Sequence, residues 1–257
     1  MALVEYESRD RIAFITMNRP EKRNALSPVL VSDLKKLFQK AHEDPQVRAV
    51  ILRAAGEAFC AGADLAYLEK LKDFTFEENL SDSKHLKELF QMIYTLPKPV
   101  IAQVQGSALA GGCGLVSVCD FAFAVPAAKF GYTEVKIGFV PAVVMVFLLR
   151  KITEAKAREL LMTGRLIDAR EAAGLGLITS VVDPAKLEEE VLTFTSRLIT
   201  EASGQSVALV KRLMHEVRTM PLPEALDFAA RENAKARMSD DYRKGIGAFL
   251  GKKEIKW

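Results

Sequence analysis

One glutamate and one glycine-rich turn are the parts of this sequence whose residue types and spacing suit chemistry. Glu134 lies within residues 129–140 (KFGYTEVKIGFV), which are otherwise mostly small or apolar. Apolar surroundings raise the pKa of a carboxylate toward the working range of a general base. Earlier in the chain, Gly111 and Gly112 have no β-carbon, so their N–H groups can approach a ligand oxygen closely. The turn is therefore a candidate cradle for an anion or an oxyanion.

A second small-residue turn occupies the matching position after an earlier strand. Residues 47–52 and 99–104 are predicted strands, and residues 54–65 (AAGEAFCAGADL) follow the first of them as the glycine turn follows the second. Ligands bind at the carboxyl edge of the sheet in α/β folds, so we expect the two turns to meet there. Two N–H donors on one oxygen would form an oxyanion hole. A carboxylate beside it suits proton transfer next to a thioester or similar carbonyl.

Each of these features also has a plain structural explanation. The glycines could serve only tight packing of a strand against a helix. Glu134 could be a surface carboxylate paired with Lys129 or Lys136. The two turns together with the glutamate favour the site over either explanation.

Several other classes of site lack their motifs. The glycines do not form GxGxxG after the first strand, which excludes a nicotinamide-binding fold. Gly112 is followed by Cys113 rather than by the Lys of a phosphate-binding loop, and Ser107 is not in a GxSxG elbow. NTPase and α/β-hydrolase chemistry are therefore poor interpretations.

Composition places few further limits on function. The chain has 257 residues, 49% hydrophobic and 27% charged, with a formal net charge of +3 and no basic tract interleaved with aromatics. These values predict a globular protein that does not bind nucleic acid and that suits a phosphate-bearing small molecule. Three scattered histidines predict no metal site. We expect three reduced cysteines, no signal peptide and a cytoplasmic location; the cysteines are Cys60, Cys113 and Cys119.

The predicted elements change in type along the chain. Residues 11–17 read as a strand, and Ser27 and Pro28 read as the N-cap and first residue of a helix before the strand at 47–52. A further helix is predicted over residues 77–94. Pro141 begins residues 142–152, which are apolar on all sides and predict a buried helix that forms a pocket wall. We predict a core over residues 1–200 and a helical subdomain over 201–257 for oligomer contacts or a lid.

Several spaced motifs resemble the crotonase superfamily of enoyl-CoA hydratases and isomerases. The resemblance runs along essentially the whole chain and implies an α/β fold of repeated ββα units with a C-terminal helical subdomain. It also implies an acyl-CoA substrate, no separate cofactor, and a homotrimer or a dimer of trimers. The motifs are NRPEKRNAL (18–26), FCAGADL (59–65), KPVIAQVQGSALAGGCGL (98–115), CDFAFA (119–124), FGYTEVKIGFVP (130–141), DAREAAGLGLI (168–178) and FLGKKE (249–254).

The resemblance also implies roles for individual residues. The N–H groups of Ala63 and Gly111 would polarise the thioester carbonyl, and Glu134 would be the acid/base. The loop at residues 61–65 would hold the adenine, Arg23 would lie near the phosphates of CoA, and Lys252 beside Phe249 would reach CoA, from a neighbouring subunit or from the same one. The predicted substrate-binding residues are Arg23, Ala61, Asp64, Leu65, Gly112, Gly114, Tyr132, Pro141, Phe249 and Lys252.

One departure from the family pattern bears on the reaction. Family hydratases carry a second glutamate directly after the GGC segment, where this chain has Gly114. Hydration needs an activated water and a delivered proton, whereas one carboxylate can move a proton between C2 and C4. The sequence therefore favours an enoyl-CoA isomerase. The alternatives are a hydratase with another acid, such as Tyr132 or Tyr67, and a non-catalytic acyl-CoA-binding protein.

Overall fold

A twisted sheet of six strands forms the centre of the fold, and a three-stranded sheet lies beside it. The computed structural model describes residues 2–257. The large sheet contains, in spatial order, β1 (Val4–Arg9), β2 (Ile12–Met17), β3 (Ala49–Ala54), β4 (Val100–Val104), β6 (Phe121–Ala124) and β9 (Ser180–Val181). The small sheet contains, in spatial order, β5 (Ala108–Leu109), β7 (Lys129–Gly131) and β8 (Ile167–Asp168).

Helices cover the sheets and make up most of the C-terminal third. Short 3₁₀ helices at Pro20–Lys22, Glu134–Ile137, Pro184–Lys186 and Val217–Thr219 connect them. The α-helices are α1 (Pro28–Glu43), α2 (Leu65–Leu71), α3 (Phe76–Thr95), α4 (Gly111–Val118), α5 (Ala142–Lys151), α6 (Glu154–Thr163), α7 (Ala169–Gly174), α8 (Leu187–Glu201), α9 (Gly204–Glu216), α10 (Leu222–Ala236) and α11 (Asp240–Leu250). No helix within residues 2–257 is long and apolar enough to span a membrane.

The predicted strand–helix–strand unit at the start of the chain is confirmed. Ser27 caps α1 by accepting a hydrogen bond from the Leu30 N–H at 3.3 Å, and Pro28 is the first helical residue. Strands β2 and β3 are parallel, with Phe14 opposite Ile51. Strand β1, which was not predicted, pairs antiparallel with β2 at the edge of the sheet and completes a ββα unit.

The small sheet places the glycine turn beside the segment that contains Glu134. Strand β5 immediately precedes the turn and pairs in parallel with β7, with Leu109 opposite Gly131. The Ala110 N–H continues this pairing by donating to the Gly131 carbonyl at 2.8 Å. Because Gly131 is three residues before Glu134, the pairing brings the segment that contains the glutamate beside the start of α4.

Helix α5 differs from the sequence prediction of a helix buried on all sides. Its inner face is buried through Val144, Phe147 and Leu148, but Val146 on the outer face is 43% exposed. Helix α5 packs against α3, α4 and α6 on one side only, so the apolar residues on its outer face meet solvent in the single chain. The prediction of complete burial is therefore wrong for this chain alone.

The helices after residue 203 bury few side chains in the rest of the chain. These helices have two buried residues, and both are charged: Lys211 of α9 and Glu232 of α10. The ammonium of Lys211 binds the Asp120 carboxylate at 2.6 Å, and Glu232 is paired with Arg212 and Lys235. The division of the chain at residues 200 and 201 stays a prediction.

Candidate active site

The two small-residue turns are in contact, as the sequence predicted. The Leu109 N–H donates to the Cys60 carbonyl at 2.9 Å, which holds the two segments side by side. A β-carbon on Gly62 would lie 2.9 Å from the β-carbon of Ala110, so the turns approach at a distance that only glycine permits there. The contact brings Ala63 and Gly111 to the same edge of the fold.

The backbone N–H groups of Ala63 and Gly111 have no acceptor among the described residues. Leu26 pairs with the residues on either side of Ala63. The Leu26 N–H donates to the Gly62 carbonyl at 2.7 Å, and the Leu26 carbonyl accepts from the Asp64 N–H at 2.9 Å, so the Ala63 N–H is left out of this pairing. Gly111 is the first residue of α4, where an N–H has no partner within the helix. Two free donors on touching turns, one at the positive end of a helix, can stabilise a negative oxygen.

Gly112 serves the packing of the turn. A β-carbon there would lie 2.7 Å from the β-carbon of Cys60 and closer still to its carbonyl oxygen. The side of Gly112 that faces Cys60 is thus closed, and glycine is needed so that α4 can begin against the first turn.

Glu134 combines burial with a carboxylate oxygen that has no partner. It begins the 3₁₀ helix Glu134–Ile137 and is half-buried, and its Oε2 atom is buried without a hydrogen bond to any described residue. Burial raises the pKa of Glu134, and a hydrogen bond from its own backbone offsets only part of that rise. A carboxylate whose pKa is raised in this way is suited to act as a general base closer to neutral pH.

Tyr132, a predicted substrate-binding residue and a candidate second acid, is completely buried. Its hydroxyl lies next to the Cys113 thiol and the Ser117 hydroxyl on α4. Burial raises the pKa of Tyr132 well above its ordinary value, so the phenol stays protonated. Tyr67, the other candidate acid, donates its hydroxyl to Asp82 at 2.6 Å.

The space next to Gly114 is filled by other side chains. A β-carbon at this position would lie 3.1 Å from Cβ of Val144 and 3.2 Å from Cζ of Phe90. Both side chains belong to the buried core, on α5 and α3. The second carboxylate of the family pattern is therefore absent, and in addition the structure has no room for a side chain at its position.

Asp64 has its carboxylate committed to structure. Its Oδ2 atom accepts from Arg19 at 2.6 Å, and its Oδ1 atom accepts from the Tyr67 N–H at 3.1 Å as the N-cap of α2. Both carboxylate oxygens of Asp64 therefore already have partners within the protein, and a contact with substrate would be additional to these bonds. Leu65 next to it is 82% exposed and is open to a ligand.

The remaining predicted residues lie in three places. Arg23 is exposed, and its carbonyl accepts from the Ala61 N–H at 3.0 Å, which ties it to the first turn. Pro141 is buried at the N-terminus of α5. Phe249 and Lys252 are exposed at the end of α11, and no hydrogen bond or ion pair among the described residues joins their side chains to the turns.

Three residues that shape the site were not singled out from the sequence. Val144 and Phe90 close the space at Gly114, and Arg19 holds Asp64. Val144 stands in an apolar run and Phe90 in a mixed helix, so neither has a local signal. Arg19 lies within the NRPEKRNAL motif, which was the one available indication.

Comparisons with known proteins show which family this fold and sequence belong to. The family model for enoyl-CoA hydratase/isomerase matches residues 7–257. A Thermus thermophilus protein whose name gives it provisionally as an enoyl-CoA hydratase is 42% identical over 95% of this chain and 96% of its own. The crotonyl-CoA hydratase of Syntrophomonas wolfei is 33% identical over 98% and 96%. The crystal structure of an enoyl-CoA hydratase from Shewanella pealeana has a TM-score of 0.94 and 30% identity, covering 100% of this chain and 96% of that one.

The fold and the site therefore define a crotonase-type acyl-CoA enzyme. The chain belongs to the enoyl-CoA hydratase/isomerase family, as the motifs implied. No cluster of three potential metal ligands occurs in the part of the chain that the structure describes.

Proposed function

We propose that the protein hydrates 2-enoyl-CoA thioesters, reversibly, with Glu134 as its one catalytic carboxylate. The observation that supports the proposal is the buried, unpartnered Oε2 atom of Glu134, in the segment that the β5–β7 pairing joins to the residues just before α4. The names of the relatives favour hydration over the double-bond isomerisation that the sequence analysis preferred.

Polarisation of the thioester is the first task of the site. The N–H groups of Ala63 and Gly111 would both donate to the thioester oxygen, withdrawing electrons from the conjugated double bond and making C3 electrophilic. When a nucleophile bonds to C3, the C2–C3 π electrons move toward the carbonyl and leave an enolate oxygen. The same two donors stabilise that oxygen more strongly than the neutral carbonyl.

Glu134 can perform both proton transfers in sequence. As water attacks C3, the ionised carboxylate accepts one of its protons, so the hydroxyl remains on C3 and Glu134 becomes neutral. Neutral Glu134 then delivers that proton to C2, which restores the thioester carbonyl and the ionised base. One water is consumed, no other group changes its protonation state, and no second carboxylate is required.

Double-bond isomerisation is the second candidate because of what surrounds Gly114. Val144 and Phe90 leave no room there for a second carboxylate, which would otherwise hold the attacking water. The same glutamate could take a proton from C2 of a 3-enoyl-CoA and return it to C4 through the enolate.

Binding of CoA and self-association complete the proposal. Arg23, Lys252 and the positive net charge suit the phosphates of CoA. Exposed apolar side chains on α9 to α11 support a homotrimer or a dimer of trimers, since such surfaces mark interfaces. They include Val210, Met214, Leu222, Leu226, Ile246 and Leu250.

Isotope incorporation separates the candidates. The enzyme is given 2-enoyl-CoA and 3-enoyl-CoA separately in H₂¹⁸O, and products are identified by mass. Hydration predicts ¹⁸O at C3 from the 2-enoyl substrate, whereas isomerisation predicts conversion of the 3-enoyl substrate to the 2-enoyl product without ¹⁸O. Absence of both reactions, with tight CoA binding, would indicate a non-catalytic binding protein.

Two variants test the role of the base. Glu134→Gln should lower either reaction by about 10²- to 10⁴-fold, the usual contribution of a general base. Glu189→Gln is the matched control, because Glu189 is an exposed residue of α8 without an ion pair among the described residues. Full activity of Glu134→Gln would exclude the proposed mechanism.

A further inference from the structure

The first small-residue turn (residues 54–65) contains Ala63, and both of its ends are bonded to one short segment of the chain. That segment is residues 19–24, between β2 and α1. The side chain of Asn24 reaches the start of the turn, and the side chain of Arg19 reaches its end. The position of the turn therefore depends on these two side chains.

Asn24 uses its whole amide group on the backbone. The residue is completely buried, and its Nδ2 atom donates to the Ala55 carbonyl at 2.8 Å and to the Ala58 carbonyl at 2.9 Å. Its Oδ1 atom accepts from the Arg19 N–H at 2.9 Å. Its φ of +54° is a left-handed conformation that asparagine adopts more readily than most residues. Three hydrogen bonds thus hold the amide in one orientation at the start of the turn.

Arg19 holds the end of the turn, at the residue directly after the oxyanion donor. Its guanidinium lies 2.6 Å from Oδ2 of Asp64, and the two side chains are 18% and 8% exposed. Ion pairs between exposed side chains contribute little, but a pair that is shielded from water attracts more strongly. The ion pair therefore fixes the chain at Asp64, next to Ala63.

The two contacts act as one unit because Arg19 and Asn24 are also bonded to each other. The Asn24 N–H donates to the Arg19 carbonyl at 3.0 Å, and the Arg19 N–H donates in return to Oδ1 of Asn24. The peptide group that carries the Ala63 N–H lies between the two ends that this unit holds, so its direction depends on both.

We propose that Asn24 and Arg19 are positioning residues that hold the Ala63 N–H on the thioester oxygen. An oxyanion donor is effective at about 2.7–3.1 Å from that oxygen, so a small displacement of the turn removes its contribution. Neither residue touches the reacting atoms or exchanges a proton. The inference deepens the proposed function and rests on Ala63 as one of the two donors.

Asn24→Gly and Arg19→Gln test the two contacts separately. Glycine adopts a φ of +54° without strain. The Gln105 amide also donates to the Ala58 carbonyl, at 3.1 Å, so the start of the turn keeps one attachment and the glycine variant should fold. We expect kcat to fall at least about tenfold in each variant, because loss of one oxyanion donor costs about 10²–10³ and displacement costs part of that.

Two matched controls remove the same kinds of contact elsewhere. Asn79→Gly removes an amide of α3 that also donates to two backbone carbonyls, those of Phe74 at 3.1 Å and Thr75 at 3.0 Å. Arg158→Gln removes a pair with Glu154 at 2.6 Å on the exposed face of α6. Both controls should keep the kcat of the wild type.

A bound chromophore measures the polarisation of the thioester without turnover. The probe is 2,4-hexadienoyl-CoA, whose absorption moves to longer wavelength when hydrogen bonds to its carbonyl oxygen draw electrons along the conjugated chain. All variants are made in a Glu134→Gln background, so the probe is not consumed, and saturating protein removes differences in affinity. We expect the full shift in Glu134→Gln alone and with either control, and a smaller shift when Asn24→Gly or Arg19→Gln is added.

The outcomes separate this inference from the proposed function. Lower kcat together with a smaller shift supports positioning. If kcat and the shift match those of the controls, or if kcat falls while the shift is unchanged, the two residues only stabilise the fold and the inference is wrong. If urea denaturation shows that Asn24→Gly is unfolded, the shift in Arg19→Gln decides.

Failure of the proposed function has a different signature. A wild type that hydrates no enoyl-CoA would overturn that function, while the absorption shift would still report how Ala63 is held. Absence of any shift in Glu134→Gln alone would overturn the inference, since no donor would then be polarising the thioester.

Discussion

A β-carbon on Gly114 would lie 3.1 Å from Cβ of Val144 and closer still to its Cγ1 atom. The position of a β-carbon is fixed by the backbone, so no rotation of a side chain at 114 relieves this overlap. Val144 would have to move, and it is confined because it is buried between α4 and α5. A side chain at position 114 and the side chain of Val144 would therefore occupy the same volume, which in this chain is filled by the valine.

The competition predicts coupled effects on stability. Gly114→Ala should lower the free energy of unfolding by about 1–3 kcal/mol through overpacking. Adding Val144→Ala should recover part of that loss, giving a coupling of about 1 kcal/mol or more in a double-mutant cycle. Urea denaturation measures both values. Gly247→Ala is the control, since a β-carbon there meets nothing within 4 Å and alanine favours the helix. If the effects of Gly114→Ala and Val144→Ala on the free energy of unfolding are additive, the two side chains do not share one volume.

Glu134 should make both activity and stability depend on pH. Its pKa in the folded protein is raised above the ordinary 4.5 by burial, so kcat should fall as the pH decreases through the raised value and the base is protonated. Ionisation of the buried carboxylate also opposes folding. Relative to Glu134→Gln, the wild type should be equally stable below pH 4.5 and should lose stability as the pH rises through the folded pKa.

Chemical denaturation at several pH values measures this difference. The comparison with Glu189→Gln corrects for the loss of one acidic residue from the surface. A stability difference between the wild type and Glu134→Gln that does not change between pH 4 and pH 8 would mean that Glu134 is not held in an unfavourable environment.

The parts of the site that were predictable from sequence depend on local signals. Ser27 before Pro28 marks the start of α1, and the small-residue turns follow apolar runs that do form parallel strands. Strand β1 was missed because its residues VEYESR are mostly polar, as suits an edge strand with one face in solvent. The overlap of Val144 with position 114 depends on how two helices far apart in sequence pack, and no local pattern encodes that.

Asp64 shows the same limit at the level of one side chain. The motif FCAGADL made it a predicted substrate contact, which stays a prediction, and the structure adds that Arg19, 45 residues earlier, binds its carboxylate. The two residues come together only when the first turn folds over the 3₁₀ helix Pro20–Lys22. The sequence therefore singled out the loop, whereas the partner of the Asp64 carboxylate could be seen only in the structure.

Gly62 should control the spacing of the oxyanion donors. An alanine there would have an unfavourable φ of +96° and a β-carbon 2.9 Å from that of Ala110, which would push the two turns apart. We expect Gly62→Ala to lower kcat at least about tenfold, since misplacing one oxyanion donor costs up to 10²–10³. Gly176→Ala is the control, because Gly176 also has positive φ (+78°) but faces open space. Equal kcat losses in both variants would assign the effect to backbone strain alone.

The ion pair between Lys211 and Asp120 should anchor the C-terminal helices. Lys211 of α9 is 7% exposed, and its ammonium lies 2.6 Å from the Asp120 carboxylate, which also accepts from the Val100 N–H of β4 at 2.7 Å. Lys211→Met would leave that carboxylate without its cation, so we expect the free energy of unfolding to fall by about 3 kcal/mol. Hydrogen exchange should increase first in α9, because its anchor to β4 is lost.

A control pair and a double variant distinguish an anchor from a general effect of charge. Arg197→Met breaks an exposed pair with Glu201 and should change stability by less than about 0.5 kcal/mol. Lys211→Met combined with Asp120→Asn removes the uncompensated charge and should be less destabilised than Lys211→Met alone. If the double variant is as unstable as the sum of its single changes, the two side chains contribute independently, and α9 is held by its other contacts with the core.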